Sequence, residues 1–198
     1  MKNSPPATLL IVPGLREHVQ AHWQTHLERR LSALRKVVCV PPPDADRLDC
    51  AARVAAIQQS LEAIDGPVLV VAHSAGVVML THWALKHTRA LAGALLVAPP
   101  DLETPLPPGY PTQDALQANG WLPMPRRALP FHSIVAASTN DPLARFDRVA
   151  RMASDWGSEL VSVGALGHVN PASGHGEWPL AEQLIQSLEA PGAPALVL

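Results

Sequence analysis

Cysteine occurs only twice in the 198 residues, at Cys39 and Cys50. Two thiols in apolar settings are too few for a disulfide framework and fit a reducing compartment. Apolar runs stay short of the roughly 18 to 20 residues that a membrane span needs. No charged leader followed by a long apolar stretch precedes the first candidate strand, so the expected location is cytoplasmic. Basic blocks are missing too: 15 Lys and Arg against 17 Asp and Glu leave a net charge of -2. These charges spread over mixed-sign segments, which argues against nucleic acid or an acidic membrane as a partner and favours a small neutral ligand. Neither G-x-G-x-x-G nor G-x-x-x-x-G-K-[ST] occurs, so dinucleotide and nucleoside triphosphate sites lack support and no cofactor is implied.

A content of 47% hydrophobic residues describes one compact domain over residues 1–190, followed by a frayed tail over 191–198. Short apolar runs recur at Leu9 to Val12, Val37 to Val40, Val68 to Ala72, Ala94 to Ala98, Ser133 to Ala137 and Leu160 to Val163. Their lengths suit buried strands. Between them, Val19, Trp23, Leu27, Leu31 and Leu34 share one helical face, as do Cys50, Val54, Ile57, Leu61 and Ile64. Leu143, Phe146, Ala150, Ala153 and Trp156 repeat that pattern. Alternating strands and helices imply an α/β fold: a three-layer, doubly wound parallel sheet of about six strands, with its ligand site beyond the strand C-termini. The exception is the proline-rich segment Pro99 to Pro130, with a short helix near Gln113 to Ala118. It reads as a long ordered excursion, with Trp121 and Met124 as candidate pocket residues under a packed flap.

One serine stands at a strand-to-helix seam. In Val68 to Gly76 a strand ends, Ala75 can start a helix, and small residues, Ala72 and Gly76, flank Ser74 two positions away. That is the shape of a nucleophile elbow, whose tight turn excludes bulky neighbours. The bland alternative is a serine N-cap. A serine nucleophile needs a histidine base and an orienting carboxylate, which on this fold follow in the order acid, then histidine. Asp141 stands just past the fifth strand and His168 just past the sixth. Asp141 before Pro142 also looks like a helix N-cap, with Asp101 as the reserve acid. His175, in the same loop as His168, is the competing base.

A second oxyanion donor is expected from the loop after the first strand, where Gly14 lets the chain turn. The amide of Leu15 would then face the Ser74 site beside that of Ala75. His73 should point away from the serine side of its strand and act as a packing or pocket residue. His18, His22 and His26 recur every fourth residue, but no carboxylate or cysteine completes a metal set, and a solvated helix flank fits better. Leu48 to Ala52 begins like an L-x-C-x-E motif, but Ala52 stands at the glutamate position.

Several spaced motifs in one order carry a wider likeness. V-P-G-L, the His22–Trp23 pair, A-H-S-A-G, P-R-R-A-L-P-F, S-T-N-D-P, W-G-S-E-L-V and G-H-V-N leading to S-G-H-G-E-W-P run from Ile11 to Leu184. Together they resemble the small bacterial α/β-hydrolases of the YdeN type, grouped with retinoblastoma-binding protein nine. The resemblance implies a minimal α/β-hydrolase fold without a separate lid domain. It also implies a serine nucleophile, aspartate and histidine at Ser74, Asp141 and His168, and esterase-like activity on a small acyl substrate. His175 and the stretch Leu143 to Arg145 depart from the family pattern and bear on substrate fit. Thioesters and amides pass through the same anionic intermediate and stay open, as does the oligomeric state. A non-catalytic interaction module on the same fold is the rival from another class.

Overall fold

The computed structural model describes residues 6–16, 19–43 and 47–190. The expected tail over 191–198 lies outside them. In chain order the elements are β1 (Thr8–Val12), α1 (Trp23–Leu31), β2 (Val37–Cys39), α2 (Cys50–Glu62), β3 (Val68–His73), α3 (Ala75–Lys86) and β4 (Gly93–Val97). They continue with α4 (Gln113–Ala118), β5 (Ser133–Ala137), α5 (Phe146–Trp156), β6 (Glu159–Ser162) and α6 (Leu180–Glu189).

All strand pairs are parallel, in the order β2-β1-β3-β4-β5-β6. Each connection therefore needs a crossover, and the helices it supplies cover the sheet on both faces. Side-chain alternation divides the core accordingly. Val68, Val70 and Ala72 pack with α2, α3 and α5; Leu69 and Val71 pack with α1 and α6 on the other face. β1 lies between β2 and β3, so the strand order reverses direction beside it. In such sheets that reversal opens a crevice above the strand C-termini. Val12 at the end of β1 pairs with Ala72 near the end of β3, which brings Gly14 and Ser74 together there.

Local chemistry sets the helix starts. Asp49 caps α2 by accepting from the Ala51 and Ala52 N–H groups, and Thr112 caps α4 through Ala115 N–H. At α1 the expected stripe is too long: Val19 and Leu34 are 59% and 77% exposed and lie outside the helix. Only Trp23, Leu27 and Leu31 of that series reach the core. On α5 the buried face is Val149, Met152, Ala153 and Trp156, whereas Phe146 and Ala150 are only partly covered. The contact row is thus turned slightly from the expected one.

The excursion after β4 divides into two parts. Its second part joins the core through Leu116, Trp121 and Met124. Trp121 donates its indole N–H to the Leu48 carbonyl at 2.6 Å, and Trp156 donates to the Pro125 carbonyl at 2.9 Å. Burying an aromatic ring while satisfying its one donor makes this segment part of the body, not a lid.

Candidate active site

Ser74 leaves β3 with φ 56° and ψ -130°, a left-handed conformation that costs a non-glycine residue about 1–3 kcal/mol. The cost is held by the surroundings: its N–H donates to Val97 O and its carbonyl accepts from Val77 N, each at 2.9 Å. The close approach of α3 to β1 explains the small neighbour. A Cβ on Gly76 would lie 2.4 Å from Val12 O. Ser74 makes no side-chain cap bond to α3, which removes the N-cap alternative. Its hydroxyl instead lies 2.8 Å from His168 Nε2.

His168 reaches that position from a turn with positive φ on both sides, at Gly167 (58°) and at β-branched Val169 (46°). Its Nδ1 lies 2.8 Å from Asp141 Oδ2 and 3.0 Å from Oδ1. A carboxylate only accepts, so Nδ1 carries the proton and Nε2 is left to accept from Ser74. Both side chains are withdrawn from solvent, His168 at 6% and Asp141 at 2% exposure. Asp141 Oδ1 also accepts from Leu143 N at 2.8 Å, but α5 begins at Phe146. The turn bond therefore fixes the carboxylate without capping a helix.

Two polar side chains that sequence reasoning passed over fix the spacing of these loops. Ser138 Oγ accepts from Leu166 N and donates to Asn140 Oδ1, each at 3.0 Å, and Asn140 Oδ1 accepts from Gly167 N at 2.6 Å. They stitch the loop after β5 to the loop after β6, directly beside Asp141 and His168. Their signal was present as short polar residues at a strand end, in S-T-N-D.

The reserve acid, Asp101, is engaged elsewhere. Its carboxylate pairs with Arg148 at 2.8 and 3.2 Å, and the guanidinium also meets Glu103 at 2.9 Å. His175 is displaced as well. It does not line the cavity at Ser74; it follows the capped turn Pro171–Ser173, and its backbone N–H bonds the Asn170 carbonyl at 3.0 Å.

Gly14 approaches the serine closely: a Cβ there would be 3.1 Å from Ser74 Cβ and 3.4 Å from Oγ. Leu15 and Ala75 both line the cavity beside Ser74. Among the described residues neither of their backbone N–H groups meets an acceptor, and Ala75 opens α3, whose dipole places positive potential at the same point.

His73 faces the α1 side of the sheet, as alternation requires, and its ring packs edge-on against Trp23 at 5.8 Å. Nevertheless it contributes to the cavity wall. Burial, helped by the neighbouring His168 and His22, pushes its pKa well below the ordinary histidine value. His22 is the N-cap of α1, accepting from Gln24 N through Nδ1 at 3.2 Å, and its ring lies 4.8 Å from that of His73. It is a buried wall residue, not the solvated flank expected of the histidine stripe. His18 lies outside the described residues, and among those described no group of three His, Cys, Asp or Glu could hold a metal ion.

The cavity measures about 500 Å³, within the range of small-molecule sites. Leu15, Leu102, Leu106, Tyr110 and Leu143 provide much of its wall. Trp121 and Met124, expected at the pocket, are 0% and 3% exposed and do not line it. Their apolar bulk is worth more in the core, and the first part of the excursion forms the wall instead.

Residues 9–187 match the family model described as serine hydrolase. No curated protein matches the chain. A putative YdeN-like hydrolase from Pectobacterium atrosepticum has a solved structure with 32% identity and a TM-score of 0.70, covering 92% of this chain and 89% of that one. The ydeN gene product of B. subtilis superposes with a TM-score of 0.72 at 20% identity, covering 92% and 98%. Est1E from Butyrivibrio proteoclasticus, solved with ferulic acid bound, gives 0.69 at 11% identity over 95% and 89%. The last two likenesses speak for the fold alone. The match over residues 9–187 and the YdeN-like relative establish that the chain belongs to the serine hydrolase family, on an α/β-hydrolase fold.

Proposed function

We propose that this chain is a serine esterase that cleaves small carboxylic esters through an acyl-enzyme on Ser74. The observation that carries the reading is the hydrogen-bonded line from Ser74 through His168 to Asp141 at a largely apolar cavity. His168 Nε2 takes the hydroxyl proton as Ser74 Oγ adds to the ester carbonyl, and Asp141 stabilises the imidazolium. The Leu15 and Ala75 N–H groups receive the oxyanion; losing one such donor typically costs about 100-fold to 1,000-fold in turnover. Collapse of the intermediate expels the alkoxide, which takes the proton from His168, and water repeats the sequence to release the acid. The reaction needs no cofactor, nucleic acid or membrane surface. Only two cysteines, Cys39 and Cys50, occur in the chain, too few for a disulfide framework, and this supports a cytoplasmic setting.

A fluorophosphonate probe tests the proposal. Labelling of the folded protein that disappears in Ser74→Ala, together with turnover of p-nitrophenyl esters, is the expected result. A folded protein that neither labels nor turns over any ester favours the interaction module instead.

A further inference from the structure

A net charge of -2 over the whole chain favours a neutral ligand, yet two arginines stand at the cavity. Arg16 and Arg47 both contribute to its wall, and among the described residues no aspartate or glutamate does. The carboxylate nearest the chemistry, Asp141, is turned to His168 behind the wall.

Arg16 is held in place. Its Nη2 donates to Gly109 O at 2.9 Å, and its Cζ sits 4.3 Å above the Tyr110 ring. Both anchors belong to the first part of the excursion, opposite the loop that carries Leu15. Fixing a long side chain costs rotamer entropy that one carbonyl bond on an exposed surface barely offsets. What the two anchors achieve is orientation. One of the five guanidinium N–H donors is taken by Gly109, and among the described residues the others meet no acceptor, which suits them to a planar two-oxygen group. The wall that Arg16 shares with Ser74 includes Leu15, Leu102 and Leu106, suited to methylene groups.

We infer that Arg16 is a specificity-determining residue and that the cavity takes half-esters of short dicarboxylic acids. The methylene chain lies on the leucine wall and the free carboxylate pairs with the guanidinium. The bond cleaved rests on the esterase reading above; the charge of the ligand rests on Arg16.

The experiment separates the two. Calorimetry on Ser74→Ala, which retains the cavity but turns nothing over, compares the monomethyl esters of malonate through adipate with the matching dimethyl esters. At least one half-ester is expected to bind about 10-fold or more tightly than its neutral counterpart. The preference should shrink as salt is raised, because the wall is partly open to solvent. Arg16→Gln in the same background should remove it, and Arg16→Lys, which keeps the charge but not the fork, should retain part. Equal binding of diester and half-ester throughout the series overturns the inference, as does a preference that survives Arg16→Gln. If Arg16→Gln fails to fold, the salt dependence and the Arg16→Lys variant decide. A clear half-ester preference in a protein whose wild type hydrolyses no ester would sink the esterase reading while leaving this one standing.

Discussion

His73 donates its Nε2–H to the backbone carbonyl of His168 at 2.9 Å, joining the residue before Ser74 to the residue that bonds its hydroxyl. A carbonyl accepts only, so Nε2 of this histidine carries a proton. The bond also falls on the peptide leading into Val169, whose positive φ makes the turn costly to hold. His73→Phe should therefore lower kcat about 10-fold or more while KM changes little, and His73→Gln, which keeps an N–H donor, should restore part of it.

Stability should follow pH through the same residue. Burial holds the folded-state pKa of His73 well below the ordinary value, whereas the unfolded chain binds a proton near pH 6.5. Between those limits the unfolded state carries more protons, so stability is full above about pH 6.5 and falls as the pH drops, by at most ~1.4 kcal/mol per unit. Thermal melts from pH 7.5 to 5 should fall less steeply in His73→Phe than in wild type. Equal slopes would mean the ring titrates normally.

Asp141 offers a sharper dissection of the proton path. Asp141→Asn preserves an oxygen for the Leu143 N–H, so the turn survives, but its amide favours the wrong tautomer of His168. Turnover should drop about 10,000-fold with the melting temperature nearly unchanged. Ser74→Ala should be at least as severe. Steady-state rates beside a melt will reveal whether the carboxylate acts on the imidazole or merely holds the loop.

Much of this was legible in the sequence because strand ends place residues by rule. A parallel sheet brings every strand C-terminus to one edge, so Ser74, Asp141 and His168, each just past a strand, had to come near one another whatever the loop details. Loop paths are set by tertiary packing, and there the sequence misled. Trp121 and Met124 are apolar, which says that they are buried but not in which compartment. Val19 and Leu34 continue a helical period past the point where α1 stops. His22 looked like one of a surface series because a four-residue spacing does not reveal that an imidazole serves as a cap. Arg16 gave no signal at all, since its partners Gly109 and Tyr110 lie more than ninety residues away.

Glycine is required at the elbow for two different reasons. A Cβ on Gly76 would meet backbone oxygens at 2.4 and 2.7 Å, and neither can yield without parting α3 from β1. Gly76→Ala should cost about 3 kcal/mol or prevent folding. At Gly14 the nearest atoms are Ser74 Cβ at 3.1 Å and Oγ at 3.4 Å, so an added methyl presses on the nucleophile, and a shift of a few tenths of an ångström relieves it. Gly14→Ala should fold, with a small loss in denaturant midpoint and a large loss in kcat. A reversed order of the two melts would refute the distinction.

The division of the proline-rich excursion can be read in substrate length. Leu102, Leu106 and Tyr110 stand on the cavity wall, while Trp121 is wholly buried against Leu48 and the core. Leu106→Trp should fill part of the cavity and shift the preferred p-nitrophenyl ester toward shorter acyl chains, leaving acetate turnover close to wild type. Trp121→Ala should remove about 3–5 kcal/mol of stability through the void it leaves, yet keep the same chain-length profile at a temperature where it is folded. A profile that moves with Trp121 and ignores Leu106 would return the acyl pocket to the second part of the excursion. The two variants together decide which segment measures the substrate.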